Sequence, residues 1–138
     1  MVNEAWIELK NNLSELERLS LALEEFGYSH HLPLKTIMDV NLALDEIFTN
    51  IVSYGFEDHD EHLISIYLLI KGKELNIRVE DDGTPFNPLE VPEPDLNAPL
   101  EERKTGGLGI HFVRKMMEEL KYERQQGKNV LLLKKKLN

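Results

Sequence analysis

His62–Glu80 reads HLISIYLLIKGKELNIRVE, and this stretch decides the fold. Two runs rich in Ile, Leu, Val and Tyr, from His62 to Ile70 and from Glu74 to Glu80, flank the short polar link Lys71-Gly72-Lys73. Runs of this length and composition suit strands, and a glycine in so short a link suits a hairpin turn. An antiparallel pair is therefore expected at the middle of the chain. Upstream, from Pro33 to about Phe56, the period changes. Ile37, Val40, Leu44, Ile47 and Ile51 recur at helical steps, with Asp39, Ala43, Glu46, Asn50 and Ser53 on another face. An earlier helix carries Leu16, Leu19, Leu23 and Phe26, with Ser14 and Glu17 as a capping box and Gly27 as its stop. Ala5 to Lys10 alternates like a strand, with Trp6, Glu8 and Lys10 on one face and Ile7 and Leu9 on the other.

Downstream of the hairpin, Thr84 to Lys104 is proline-rich and has no clean period. A loop of that length inside a compact domain is usually functional or mobile. Leu108 to Leu120 then reads as a helix, with Ile110, Val113, Met117 and Leu120 spaced for burial, and Lys121–Gln126 and Asn129–Lys135 read as two closing strands. The order predicts an α+β two-layer sandwich, a mixed, largely antiparallel sheet with helices on one face. Strands joined by helical crossovers are missing, so a doubly wound nucleotide fold is not expected.

The 138 residues suit a single domain, 1–138, with 41% apolar and 30% charged residues. A net charge of -9 argues against nucleic acid as a partner and favours a protein with basic patches. With no cysteine, disulfides and thiolate metal sites are excluded. No basic-then-apolar leader opens the chain, and the strongest apolar run, Ile64–Ile70, is too short for a membrane span, so a cytoplasmic protein is expected. The histidines (30, 31, 59, 62 and 111) lack metal-ligand spacing and read as surface or capping residues. Lys134-Lys135-Lys136 reads as a solvated strand edge.

Three short pieces carry chemistry. Glu46 and Asn50 lie one helical turn apart and so share a face. An amide oxygen is a suitable ligand for Mg²⁺, and a carboxylate beside it can accept a proton. By itself the pair also suits an exposed polar face, with Asp45 a supporting or surface acid. Asp81-Asp82-Gly83 ends the second hairpin strand. Asp81 can accept from an exocyclic base amine, and Gly83 permits close approach, although Asp-Gly is also a common turn. Gly106-Gly107-Leu108-Gly109 leads into a helix, where backbone N–H groups and the positive end of the helix dipole attract anions. The same residues would serve as a plain flexible cap, and neither a P-loop nor a dinucleotide fingerprint is present.

In this order, the three pieces resemble the boxes of the histidine-kinase-like (GHKL) ATPase family, the group that includes gyrase and the sensor kinases. Glu46-x-x-x-Asn50 looks like the asparagine box, Asp81-x-Gly83 like the first glycine box and Gly107-Leu108-Gly109 like the second. Leu44–Asn50 and Thr105–Ile110 look most like the small stand-alone branch, the anti-sigma-factor serine/threonine kinases of bacterial partner switching. The resemblance runs from Trp6 to the C-terminus and implies a Bergerat-type ATP-binding fold. It implies ATP and Mg²⁺ as cofactors, Asn50 as the metal ligand and Glu46 as the general base. Asp81 and Gly83 would take the adenine. Lys104, Thr105, Gly106, Gly107, Leu108 and Gly109 would surround the phosphates, and about 87–105 would form the ATP lid.

The implied activity is phosphorylation of a small anti-sigma-factor antagonist and sequestration of a sigma factor or other regulator. No nucleic acid and no membrane would be involved, and a homodimer is compatible. The alternative is a nucleotide-gated protein-binding module without phosphotransfer. The chain departs from the pattern at Pro85, where a second glycine is usual, and at Tyr54, where some of these kinases have histidine. Either Arg103 or Lys104 could meet the γ-phosphate.

Overall fold

The computed structural model describes residues 3–90 and 107–137. The order is β1 (Glu4–Lys10), a 3₁₀ turn (Leu13–Glu15), α1 (Leu16–Ser29), α2 (Leu34–Tyr54), β2 (Leu63–Lys71) and β3 (Glu74–Asp81). A 3₁₀ turn (Pro88–Glu90), α3 (Gly107–Met116), β4 (Glu119–Gln125) and β5 (Lys128–Lys136) follow. The strands make one sheet in the order β1-β2-β3-β5-β4. Each of its four pairings is antiparallel.

The expected hairpin forms, with Lys71 opposite Glu74 and Gly72 at φ +62° in the turn. The second hairpin turns on Gln126 and Gly127, both at positive φ, the combination that matches strand twist. Alternation sorts the sheet's faces. Ile7 and Leu9 of β1, Ile64, Ile66 and Leu68 of β2, and Leu75, Ile77 and Val79 of β3 are buried. They pack in one core with Leu19, Leu23 and Phe26 of α1, Leu44, Ile47 and Ile51 of α2, and Ile110 and Val113 of α3. The three α-helices among the described residues therefore cover one face, as the two-layer expectation requires.

Local details differ from the sequence reading. Asn12, not Ser14, caps the first turn: its side chain accepts from the Ser14 backbone N–H at 2.9 Å. The helix proper starts later, at Leu16, with no side-chain cap. Gly27 does not stop α1 but lies buried within it, where a Cβ would come within 2.4 Å of Ile37 Cγ1. It is a close-packing position between α1 and α2. The last helix ends at Met116, and Leu120 belongs to β4. The lysine run is not an edge, because β5 lies between β3 and β4. Lys134 bridges Glu74 and Glu119, while Lys135 is buried and donates to the Met116 carbonyl at the end of α3. No helix among the described residues is long and apolar enough to cross a membrane.

Candidate functional site

The C-terminal half of α2 is the spine of the site, because all three motif segments meet it. Residues 46, 50 and 54 follow at four-residue steps and so lie along one side of the helix, spanning about 12 Å. At the first step, Gly109 of α3 rests on Glu46: a Cβ at 109 would lie 2.1 Å from the Glu46 carboxyl carbon. At the second, buried Asn50 donates from Nδ2 to the Pro88 carbonyl at 3.1 Å. At the third, the Tyr54 ring stands 6.1 Å from that of Phe86. One residue on, the Gly55 carbonyl accepts from the Thr84 backbone N–H at 2.9 Å and from its hydroxyl at 3.2 Å.

The electrostatics of Glu46 follow from this packing. Its Oε1 is buried with no hydrogen-bond partner among the described residues. Burial raises its proton affinity above the ordinary carboxylate range. Asp45 is raised by burial in the same way and also holds a buried oxygen, Oδ1, with no hydrogen-bond partner among the described residues, so it is not a plain surface acid. An under-solvated carboxylate beside a helix start is a competent proton acceptor. Tethering Nδ2 of Asn50 leaves the amide oxygen as the ligand-type atom, which fits a hard cation such as Mg²⁺ that takes few protein ligands.

The other end of the site is built around Asp81, at the last position of β3. Oδ1 of Asp81 accepts from the Gly83 backbone N–H at 2.9 Å and from Asn129 Nδ2 at 2.9 Å. Burial raises its proton affinity, while the bonds from Asn129 and Gly83 act in the opposite direction. Gly83 is packed against backbone: a Cβ there would lie 2.1 Å from the Gly55 carbonyl oxygen. Gly83→Ala should therefore cost about 1–3 kcal/mol of stability through overpacking. A thermal melt should fall by several degrees, since the turn after Asp81 must move.

Asn129, Arg124 and Tyr122 were not singled out in the sequence, yet they complete this end. The Asn129 side chain also donates to the Thr84 carbonyl at 2.8 Å and accepts from the Phe86 N–H at 3.1 Å and from the Tyr122 hydroxyl. Arg124 donates to the Gly83 carbonyl at 2.8 Å. No local signal marked Asn129: the register of β5 on β3, which places it directly opposite Asp81, is a property of the folded sheet. Arg114 of α3 was missed as well, and it donates to the Leu89 carbonyl at 3.0 Å. Of the expected phosphate-side residues, Gly107, Leu108 and Gly109 form the first turn of α3. Lys104, Thr105 and Gly106 lie outside the described residues, as does most of the expected lid, 87–105.

The glycine-led helix and the turn after the buried strand-end aspartate thus both pack against the carboxylate-and-amide helix and its C-terminal cap, in an antiparallel α+β sandwich. That arrangement defines a class, and comparison with known proteins agrees. Residues 9–135 match the family model described as "Histidine kinase-like ATPase domain", and the chain belongs to that family. A serine-protein kinase RsbW from Listeria monocytogenes serotype 4a (strain HCC23) is 30% identical over 125 residues, covering 86% of this chain and 77% of the relative. An anti-sigma F factor from Clostridium kluyveri (strain ATCC 8527 / DSM 555 / NBRC 12016 / NCIMB 10680 / K1) is 30% identical over 104 residues, covering 75% and 72%. The solved RsbU and RsbW domains of Rv1364c from Mycobacterium tuberculosis superpose with a TM-score of 0.70 at 16% identity. That match covers 97% of this chain and 32% of the other, and it speaks for the fold alone.

Proposed function

We propose that this chain is an ATP-dependent serine/threonine protein kinase of the partner-switching type. The observation that carries this reading is the Glu46 carboxylate: held under Gly109, partly buried, raised in proton affinity and lacking a partner for Oε1 among the described residues. Kinship with proteins named serine-protein kinase and anti-sigma factor supports it.

Each residue then has a task. Asp81, fixed by Asn129 and Gly83, accepts from the adenine amine. The N–H groups at the start of α3, around Gly107 and Gly109, face the phosphates with the positive end of the helix dipole. Lys104, Thr105 and Gly106 extend that cradle, within a lid of about 87–105. Asn50 holds Mg²⁺ through its amide oxygen. The ion, when bound, neutralises phosphate charge and helps to align the triphosphate. Glu46 takes the proton of the acceptor hydroxyl while that oxygen bonds to the γ-phosphorus and the bond to the β-phosphate oxygen breaks. Most of the acceleration comes from positioning and charge stabilisation.

The acceptor is a serine or threonine on a small anti-sigma-factor antagonist. In the alternative state the chain holds a sigma factor or other regulator, and its charge of -9 suits a basic surface on that partner. Nucleotide state shifts the balance between the two. The reading places the protein in the cytoplasm.

Radiolabelled transfer from γ-labelled ATP to a cognate antagonist tests the kinase reading directly. An antagonist that stays unlabelled with the wild-type chain overturns it. Calorimetry of Asn50→Ala tests the metal role. Magnesium-dependent ATP affinity should fall by at least about tenfold, the loss of one charge-assisted contact of ~1.5–3 kcal/mol. Unchanged magnesium dependence would remove Asn50 from the metal site.

A further inference from the structure

We infer that His62 is a positioning residue for nucleotide recognition, and that binding at the Asp81 end of the site is linked to protonation of its imidazole. The inference rests on the reading of Asp81 as the carboxylate that receives the base.

His62 stands between the loop that follows α2 and the turn that follows β3. Its Nε2 lies 2.7 Å from Asp58 Oδ1, and its Nδ1 lies 2.9 Å from Asp82 Oδ1. The ring stacks on Phe56 at 4.6 Å between centroids and 22° between planes. An ionised carboxylate only accepts hydrogen bonds, and a neutral imidazole has a single N–H to give. Both contacts can be hydrogen bonds together only when the ring is an imidazolium. The two carboxylates approach opposite ring nitrogens, a bridge rather than a chelate. No group of three or more His, Asp or Glu among the described residues is arranged to hold a metal ion.

The charged neighbours agree. The loop contributes Asp58, with His59 near it, and the end of β3 contributes Asp82. The end of β1 contributes Lys10, already paired with Glu61 at 3.5 Å, and Asn11, which accepts the His62 backbone N–H at 2.9 Å. The hydrogen bond to Asp58 raises the His62 proton affinity above its ordinary value; burial opposes it, and the hydrogen bond to Asp82 adds a smaller rise.

The consequence reaches the site because Asp82 lies between Asp81 and Gly83. That turn is already held by the Gly83 N–H on Asp81, by Arg124 on the Gly83 carbonyl and by Thr84 on Gly55. The imidazolium adds a side-chain tie from Asp82 to the same loop that supplies Gly55. Loss of the proton removes one of the two ring bonds and frees Asp82 or Asp58. The sign follows from the raised folded value. The tie is fully present below the ordinary imidazole value of about 6.5 and is lost as pH rises through the higher folded value. Nucleotide affinity should therefore fall with rising pH.

The test is calorimetric titration of the full chain with Mg²⁺ and ADP from about pH 6 to pH 9, a range bracketing histidine titration. Buffers of different ionisation enthalpy count the protons taken up. Wild type is compared with His62→Gln and Asp82→Asn, and the His62 ring is followed by NMR with and without ADP. Titration of the ADP phosphates is common to all three proteins, so the difference between proteins is the readout. Wild-type affinity should weaken about three- to tenfold relative to either variant across the transition, and the His62 midpoint should rise on ADP binding. Parallel pH profiles in wild type and His62→Gln, or a midpoint that ADP leaves unmoved, would overturn the linkage while leaving the nucleotide site intact. No ADP binding by wild type at any pH would overturn the nucleotide reading itself, and the linkage with it.

Discussion

Glu46→Gln is expected to lower phosphotransfer to a serine or threonine acceptor by about 10²- to 10⁴-fold, the range lost with a general base. The amide keeps the shape of the side chain beside Gly109 but cannot accept the proton at neutral pH. Nucleotide affinity should change little, because the variant leaves Asp81, Asn50 and the start of α3 untouched. Stability provides the control. Burial raises the Glu46 proton affinity in the fold, so its favourable contribution is fully present below the ordinary carboxylate value and is lost as pH rises through the folded one. An ionised Glu46 therefore burdens the native state at neutral pH. Replacement by Gln should leave the melting temperature equal or higher at pH 7. The wild-type rate should rise with pH through the raised Glu46 titration, and that limb should vanish in the variant. Single-turnover transfer across pH measures both effects. A Glu46→Gln chain that phosphorylates at the wild-type rate removes the base role. Partner switching that persists without any phosphotransfer would favour a nucleotide-gated binding module.

Gly109→Ala is expected to cost about 10²-fold in turnover by moving that same carboxylate. The added methyl would sit 2.1 Å from the Glu46 carboxyl carbon and 2.3 Å from Oε2, distances no pair of atoms tolerates. The nearest atoms belong to a side chain, so Glu46 swings aside and the backbone can stay. A displacement of about 1 Å in a reacting group is enough for a loss of that size. The fold should survive, since the strain is relieved at the site and not in the core. The measurement is kcat and KM for ATP together with a thermal melt. A fall in kcat with a near-wild-type melt supports the packing of Gly109 on Glu46. Full activity would mean that Glu46 need not stay where the structure places it.

Both variants act at one contact, between Glu46 on α2 and Gly109 on α3, separated by 63 positions (109 minus 46) in the sequence. The elements themselves were legible. Strand alternation in Ile64–Leu68 and Leu75–Val79, and the helical stripe from Ile37 to Ile51, are local signals that burial merely fulfils. So were Glu46, Asn50, Asp81, Gly83 and the glycine-led start of α3, because each carries its chemistry in its own side chain or backbone. Helix ends read less well. Gly27 looks like a stop until α2 is present to show that it is a packing position, and Leu120 fits a helical stripe until β5 claims it as a strand residue.

What the sequence determined by itself is the class of fold and which groups are candidates for the chemistry, since periodicity and side-chain chemistry are properties of short segments. What only the tertiary structure decided is who supports them. Asn129 reaches Asp81 because β5 pairs with β3 in one register, and a shift of one residue would turn Asn129 to the other face of the sheet. Lys135 is buried because β5 lies inside the sheet, although three consecutive lysines read locally as an edge. His62 faces two aspartates because a loop and a strand end meet, and no spacing along the chain encodes that meeting. Pairing register and long-range packing are set by the sum of many contacts across the core, so the roles they confer become visible only when the chain is folded.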